Sequence, residues 1–292
     1  MATGGSSPFH IPYRELIAAM AELSAAATGA RRTQEERGPE HSAHSIAVRN
    51  VTKRYRTITR TVDAVKDVSF VVDRGEFVSL VGPSGCGKST ILKMTAGILA
   101  SDGGTTTVLG EKARPGRREV GLMFQTPIMF PWRNVLRNVV LPFELFGEVT
   151  EANRVKALEL LSLVGLQDSA DIYPWELSGG MRQRASLARL LVTDPEILLM
   201  DEPLAALDEL TRERLEFEIA GIQEKLRKTA LYVTHDIKEA LILSDRIVVL
   251  QTNPGSVAGE VVVDLPRPRR PELIDSEDFA GKLKEVRDLL RL

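Results

Sequence analysis

A glycine-rich loop between an apolar stretch and a helical stretch most constrains how this chain can fold. FVSLVG (77–82) is predicted as a buried strand, GPSGCGKS follows directly, and STILKMTAGI continues as a helix. The order matches G-x-x-x-x-G-K-[ST] in the context that this motif requires. Backbone N–H groups of such a loop surround phosphate oxygens, and the helix start adds partial positive charge. The chain is therefore predicted to bind a nucleoside phosphate at the end of a strand.

Two side chains of this loop have chemistry of their own. Lys88 can reach the β- and γ-phosphates of ATP, and the Ser89 hydroxyl can ligate Mg²⁺. Cys86 is the only cysteine, so an intrachain disulfide is excluded and a reducing interior is expected. The predicted phosphate-binding residues are Gly82, Pro83, Ser84, Gly85, Cys86, Gly87, Lys88, Ser89 and Thr90.

An acidic pair follows a second apolar stretch, ILLM (197–200). The continuous apolar run is typical of a central parallel strand, so Asp201 is expected beside the phosphate loop as a Mg²⁺ ligand. Glu202, one residue further, could polarise a water for attack on the γ-phosphate. General base assistance of this kind accelerates a reaction by roughly 10²- to 10⁴-fold. The alternative role for such a pair is a simple helix cap.

A histidine and a glutamine end two further apolar stretches, ALYVTH and VGLMFQ. If the first is a parallel strand next to 197–201, His235 would lie near the γ-phosphate and the attacking water. Gln125 could contact Mg²⁺ or water without changing the local charge, because its amide is neutral. Lys88, Gln125, Glu202 and His235 are therefore the candidate catalytic residues, and Ser89, Gln125 and Asp201 the candidate metal ligands.

The chain is organised as an α/β core with a helical insertion. Residues 1–45 are expected to be a partly disordered extension with a short amphipathic helix, and 46–265 form the main domain. Within it, strand signals fade over about 127–190, where EANRVKALELLSLVGL shows helical spacing with Val155, Leu158, Leu161 and Val164 as its apolar positions. Residues 266–292 read as a linker and a short helix with Phe279, Leu283, Val286 and Leu290 on one face.

Composition excludes two broad classes of protein. At a formal charge of −2 the chain lacks the clearly basic balance of most nucleic-acid binders, and we expect no nucleic-acid partner. No run approaches 18 apolar residues, so no membrane span is predicted.

A second loop with phosphate-binding character, LSGG, lies far from the first in sequence. Nucleotide held by one loop is exposed on its γ-phosphate side, and a second loop can cover that side if two copies face each other. A symmetric homodimer is therefore predicted, with Ser178, Gly179 and Gly180 of one copy covering the ATP on Lys88 of the other.

These motifs, in this order, closely resemble the ATP-binding-cassette (ABC) ATPases over about residues 46–250. The resemblance is carried by the phosphate loop, Gln125, LSGGMRQR, LLMDEP, AALD and His235. It implies a P-loop NTPase core with a mixed sheet, an antiparallel β subdomain and an inserted helical subdomain.

The resemblance also implies roles for individual residues. Tyr55 would stack on adenine, the alternative being a core aromatic of a strand. Asp208 would cross the dimer interface, and segment 182–207 would join the signature and catalytic loops. Ala205 departs from the Ser or Gly of many relatives, which would remove a hydroxyl contact across that interface.

Within the family, the chain looks most similar to the nitrate/sulfonate/taurine importers. FQTPIMFPWRNVLRNVVLPFE, YPWELSGGMRQR and LPRPRRPELIDSEDF carry that similarity. It implies a peripheral ATPase on the cytoplasmic face of the membrane, with separate permease subunits and, indirectly, a solute-binding protein as partners. Phe130, Pro131 and Trp132 would line the groove that receives a permease helix, the alternative being ordinary core.

Two other classes fit less well. Chromosome- and repair-type relatives need a long coiled-coil insertion, and only 113 positions separate Lys88 from Asp201. Translation-type relatives carry two cassettes in one chain. A regulatory module that binds ATP without turnover would be expected to lack Glu202 or His235, and both are present. Another importer or an export system remains the alternative within the family; the transported solute is not specified by these residues.

Overall fold

The structure of the protein is a computed structural model, and the residues that it describes form two compact units. It describes residues 44–56, 61–147, 149–205 and 207–291. One unit combines 44–127 with 195–291, and the other is Ile128–Asp194. The short helix expected near the N-terminus lies outside the described residues.

Strands and helices alternate in the first unit, whereas the second contains helices. The strands are β1 (Ile46–Arg56), β2 (Thr61–Val72), β3 (Phe77–Val81), β4 (Gly103–Val108), β5 (Glu111–Lys112), β6 (Val120–Met123), β7 (Ile197–Asp201), β8 (Thr229–Thr234), β9 (Arg246–Gln251) and β10 (Ser256–Val262). The helices are α1 (Lys88–Thr95), α2 (Val135–Val139), α3 (Leu141–Leu145), α4 (Glu151–Leu163), α5 (Gly179–Leu191), α6 (Glu209–Leu226), α7 (Ile237–Leu243) and α8 (Glu277–Leu290).

A mixed sheet of order β10-β9-β3-β8-β7-β6 forms the centre of the first unit. Neighbouring strands are parallel except β9 and β10, which are antiparallel. Every residue of β3, β7 and β8 is buried, which explains their continuous apolar sequences. The mixed sheet implied by the resemblance is confirmed.

The register of this sheet aligns the ends of four strands. Val81 pairs with Thr234, Val233 pairs with Asp201, and Met200 pairs with Met123. Because the carboxyl ends of parallel strands meet at one edge, the residues that follow them are brought together there. This edge is where the candidate site forms.

The antiparallel sheet has the order β2-β1-β4-β5. Its apolar side chains, those of α1 and those of the mixed sheet share one buried cluster, which includes Val48, Phe70, Leu92 and Leu231. The antiparallel β subdomain expected from the resemblance is therefore present and packs on the phosphate-loop helix.

The unit Ile128–Asp194 is helical, and one detail of its predicted packing is wrong. Helix α4 begins after Thr150, whose side chain accepts a hydrogen bond from the Asn153 N–H. It buries Ala157, Leu160 and Leu161, and Val164 just beyond its end is buried too. Val155 and Leu158, predicted on the apolar face, are exposed. The helical spacing of the large apolar residues pointed to Val155 and Leu158 as the buried face, because the small Ala157 contributes little to an apolar pattern.

The C-terminal helix α8 agrees with its predicted face. Ser276 caps its start by accepting from the Phe279 N–H, and Phe279 and Val286 are buried. Strand β10 ends at Val262, within the apolar sequence EVVVDL (260–265). Among the described residues, every helix is too short or too polar to cross a membrane.

Candidate functional site

The lysine of the phosphate loop is held by the loop's own backbone. Lys88 Nζ donates to the carbonyl oxygens of Gly82 at 2.6 Å and Pro83 at 3.1 Å. The first backbone bond into α1 joins the Ile91 N–H to the Gly87 carbonyl, so the N–H groups at the start of this helix precede its hydrogen-bond ladder. These donors and the ammonium group are the parts of the loop that can meet phosphate oxygens.

Glycines fit the loop closely against its surroundings. Gly87 has φ +95°, and a Cβ there would lie 2.6 Å from Val65 Cγ2 and 2.8 Å from the Ala64 carbonyl oxygen. Gly85 has φ +81° but open space around it. Position 87 therefore requires glycine for both conformation and space, and position 85 for conformation only.

Asp201 and Ser89 meet at the end of β7. Ser89 Oγ donates to Asp201 Oδ1 at 2.8 Å, and the carboxyl is buried. Burial raises the pKa of Asp201 above its ordinary value, against a lowering by the Ser89 hydrogen bond. A nearby cation would favour the ionised form of such a carboxyl.

Gln125 and His235 both contact the same carboxylate oxygen of Glu202. Gln125 Nε2 donates to Glu202 Oε2 at 2.9 Å, and His235 Nδ1 lies 3.2 Å from the same oxygen. Glu202 has φ +43°, a left-handed conformation that is uncommon outside glycine, and its N–H donates to the Val233 carbonyl. Backbone strain of this kind clusters at functional sites, because the surrounding structure must hold it in place.

Tyr55 lies near the C-terminal end of β1 and is 43% exposed, so it is not a core aromatic. Its hydroxyl lies 3.5 Å from Thr90 Oγ1, the last residue of the predicted phosphate-binding set. An exposed ring beside the phosphate loop is available to stack on a base. The stacking itself stays a prediction.

The LSGG segment begins helix α5 in the helical unit. Ser178 caps this helix by accepting from the Met181 N–H at 3.2 Å, and Gly179 and Gly180 form its first turn. Arg182 Nη1 donates to the Leu177 carbonyl at 2.7 Å and thereby supports the loop before the helix. A helix start favours a nearby anion, but the capping bond to Met181 by itself also explains the presence of Ser178.

The segment around Asp208 is fixed by an arginine that the sequence analysis missed. Arg212 Nη2 donates to the Leu207 carbonyl at 2.8 Å, and Arg212 Nε lies 3.4 Å from the Leu204 carbonyl. Asp208 caps α6, and the backbone hydrogen bond from Thr211 lowers the pKa of its carboxyl. Ala205 is exposed on this segment.

A turn between β9 and β10 was also missed, although its sequence NPG is a turn signal. A Cβ on Gly255 would lie 2.3 Å from the Cys86 carbonyl oxygen, and a Cβ on Gly82 would lie 2.5 Å from the Leu250 carbonyl oxygen. The end of β9 and this turn therefore pack directly against the phosphate loop. Burial raises the pKa of the Cys86 thiol, which limits its reactivity.

The helical unit exposes two stacked aromatic pairs. Phe130 and Trp132 stack at 5.0 Å between ring centroids, and Tyr173 and Trp175 stack at 4.6 Å. Trp132 is 69% exposed, so an ordinary core role for it is wrong. Exposed aromatic groups of this size are typical of interaction surfaces.

Comparisons with known proteins agree with this architecture. A family model described as "ABC transporter" matches residues 65–205. The chain is 41% identical to the taurine import ATP-binding protein TauB of Rhizobium johnstonii, over 79% of this chain and 90% of that protein. It is 38% identical to the aliphatic sulfonates import ATP-binding protein SsuB of Bacillus cereus, over 83% and 94%. A solved dimer of the ATP-binding cassette MJ0796 bound to ADP and Pi is 33% identical, with a TM-score of 0.68 over 75% of this chain and 98% of that one.

Proposed function

The chain belongs to the ABC transporter family of ATPases, and from this premise we propose that it powers a bacterial importer for a small anionic solute. One observation carries the proposal: Gln125 and His235 contact the same carboxylate oxygen of Glu202. This contact lies at the edge of the sheet that bears the phosphate loop. The relatives named for taurine and sulfonate import support the solute class.

ATP binds through the loop at the end of β3. The N–H groups of residues 84–90 and the Lys88 ammonium group surround the phosphates, and Tyr55 stacks on the adenine. Lys88 donates hydrogen bonds to the Gly82 and Pro83 carbonyls. Phosphate oxygens replace one or both of these acceptors when ATP arrives.

The residues beside the loop fit a magnesium ion. Asp201 and Ser89 offer oxygen atoms that are already in contact, and oxygen ligands are what Mg²⁺ prefers. We assign Ser89, Asp201 and the amide oxygen of Gln125 as the residues that would hold it. When bound, Mg²⁺ would supply charge neutralisation at the β- and γ-phosphates.

Glu202 is the general base in this proposal. Its carboxylate orients and deprotonates the attacking water, while Gln125 and His235 hold the carboxylate from two sides. His235, 61% exposed, can turn toward the γ-phosphate and hydrogen-bond it. A positioned base accounts for roughly 10²- to 10⁴-fold of the rate.

Two copies complete the site. Ser178, Gly179 and Gly180 of one copy cover the γ-phosphate held by Lys88 of the other, and Asp208 crosses the interface. The similar cassette MJ0796 has been solved as a dimer, which supports this arrangement. ATP closes the dimer and hydrolysis loosens it.

Permease subunits dock on the helical unit at the cytoplasmic face of the membrane. The exposed Trp132 with its neighbours Phe130 and Pro131 supports this assignment, because the surface is apolar without being core. A solute-binding protein would act on the other side of the membrane and would not touch this chain.

Uptake in cells tests the function. Deletion of the gene should abolish uptake of labelled taurine, alkanesulfonate or nitrate, and the wild-type gene should restore it. The Glu202→Gln gene should not. Uptake of all three solutes at the normal rate in the deletion strain would contradict the proposed solute class.

Sedimentation of the purified Glu202→Gln protein tests the mechanism. The variant should bind Mg-ATP, hydrolyse it about 10²-fold more slowly than wild type or worse, and shift from monomer to dimer. Hydrolysis at the wild-type rate would refute the base assignment. ATP binding without dimer formation would mean that the permease is needed to bring the copies together.

A further inference from the structure

A buried carboxylate contacts β8, the strand whose last residue, Thr234, precedes His235. Glu239 of α7 is 4% exposed and accepts hydrogen bonds from two hydroxyl groups of β8, Tyr232 Oη on one oxygen and Thr234 Oγ1 on the other. Both hydroxyls donate, which is the arrangement expected around an ionised carboxylate. The mechanism above does not use this group.

The Thr234 hydroxyl connects the carboxylate to the chain on the far side of His235. Thr234 Oγ1 accepts from the Asp236 N–H at 2.9 Å, and Asp236 caps α7 by accepting from the Lys238 N–H at 2.8 Å. The residue before His235 and the residue after it are thus fixed by a single hydrogen-bonded chain. The His235 side chain is exposed, and among the described residues its polar contact is with Glu202.

Helix α6 closes the other side of this buried group. It packs against α7. Burial, together with the charges of Glu239 and Asp236, raises the pKa of Glu216 on α6 to about 7, and Arg212 lowers it. Burial also raises the pKa of Glu239, whereas its bonds from Thr234 and Tyr232 lower it.

We propose that Glu239 is a positioning residue for His235: through Thr234 and Asp236 it sets the direction in which the imidazole leaves the end of β8. The proposal rests on the role of His235 at the γ-phosphate in the proposed function. Glu239 is buried and acts only through the backbone on either side of the histidine.

A carboxylate suits this task better than a neutral amide. Its two oxygens accept two hydroxyl donors at once, whereas glutamine offers one acceptor and one donor group. In Glu239→Gln only one of the two hydroxyls keeps an oxygen acceptor; where the amide NH₂ faces Thr234, that hydroxyl turns away and the Asp236 N–H loses its fixed partner. Misplacement of a reacting group by about 1 Å can lower a rate by about 10²-fold.

The NMR signal of the His235 imidazole tests the proposal, because a residue that only stabilised the fold would not change this signal. The chain has four histidines, so selective ¹⁵N labelling gives few imidazole signals, and His235→Gln identifies the one of interest. In wild type the His235 Nδ1 signal should show the hydrogen bond to Glu202. In Glu239→Gln and in Thr234→Val this signal should move toward that of a solvated imidazole.

Tyr232→Phe is the matched control. It removes a buried hydrogen bond from the same carboxylate but leaves the Thr234 and Asp236 contacts in place. It should leave the His235 signal unchanged and kcat within about 2-fold, whereas Glu239→Gln and Thr234→Val should lower kcat about 10-fold with KM for ATP unchanged. Thr234→Val carries the test if Glu239→Gln does not fold.

Two results would overturn the proposal. One is an unchanged His235 signal in a folded Glu239→Gln or Thr234→Val protein. The other is an equal change in Tyr232→Phe, because the carboxylate would then act through core stability alone. Failure of the proposed function would appear differently, as a wild-type protein that does not hydrolyse ATP while the NMR effects remain.

Discussion

Replacement of Glu216 by glutamine should stabilise the protein in a pH-dependent manner. Glu216 is 6% exposed, and burial with the nearby Glu239 and Asp236 raises its pKa from 4.5 to about 7. Because the folded pKa lies above the unfolded one, ionisation opposes folding. The penalty is absent below pH 4.5, grows as the pH rises toward 7, and is complete above it.

The difference between the folded and unfolded pKa values sets the size of this free-energy penalty. At 1.36 kcal/mol for each pH unit, it corresponds to about 3 kcal/mol at pH 8. A domain of this size changes its Tm by roughly 2 to 4 °C for each kcal/mol, so Glu216→Gln should unfold about 6 °C above wild type at pH 8. At pH 4.5 the two Tm values should nearly coincide.

Thermal unfolding followed by circular dichroism at pH 5, 6, 7 and 8 measures this difference. Glu213→Gln is the matched control, since it removes the same charge from an exposed position on the same helix. It should change the Tm little at any pH. A gain for Glu216→Gln that is equal at pH 5 and pH 8, or a loss at pH 8, would refute the reasoning.

Two further substitutions test the two phosphate-facing loops. In the proposed dimer the Ser178 hydroxyl serves the partner's γ-phosphate. Ser178→Ala should therefore preserve ATP binding to the isolated monomer, measured with a fluorescent nucleotide, and should lower ATPase turnover by about 10-fold or more; loss of monomer binding would contradict that role. Gly87→Ala should weaken ATP binding much more than Gly85→Ala, since a Cβ at 87 would collide with Val65 and the Ala64 carbonyl while position 85 is open. Equal losses in calorimetric titrations would show that φ alone matters at both positions.

Sequence patterns predicted the site best where chemistry and strand order coincide. The phosphate loop, Asp201, Glu202 and His235 each lie at the end of a largely apolar, buried strand, and parallel pairing brings such ends together. Gln125 was predicted for contact with Mg²⁺ or water, and the structure adds its hydrogen bond to Glu202. That contact depends on the register of β6 with β7, which no local pattern specifies.

Packing details were harder to predict because they depend on shape. On α4, Ala157 is buried while the larger Val155 and Leu158 are exposed, and apolar spacing cannot distinguish these outcomes. The turn at Gly255 was missed for a related reason. Its glycine is required by the close approach of the Cys86 carbonyl, a partner distant in sequence.

The buried acids join two segments that the proposed mechanism treats separately. Asp208 caps α6, and His235 precedes Asp236, the residue that caps α7. Glu216 and Glu239 lie buried where these two helices pack together. A shift of α6 would change the repulsion between Glu216 and Glu239, and Glu239 is bonded to Thr234 beside the histidine. In the proposed dimer, a movement of Asp208 would therefore reach His235 of the same copy through a buried path. The Glu216→Gln protein removes the charge in that path, so its His235 signal should respond less to nucleotide than the wild-type signal does.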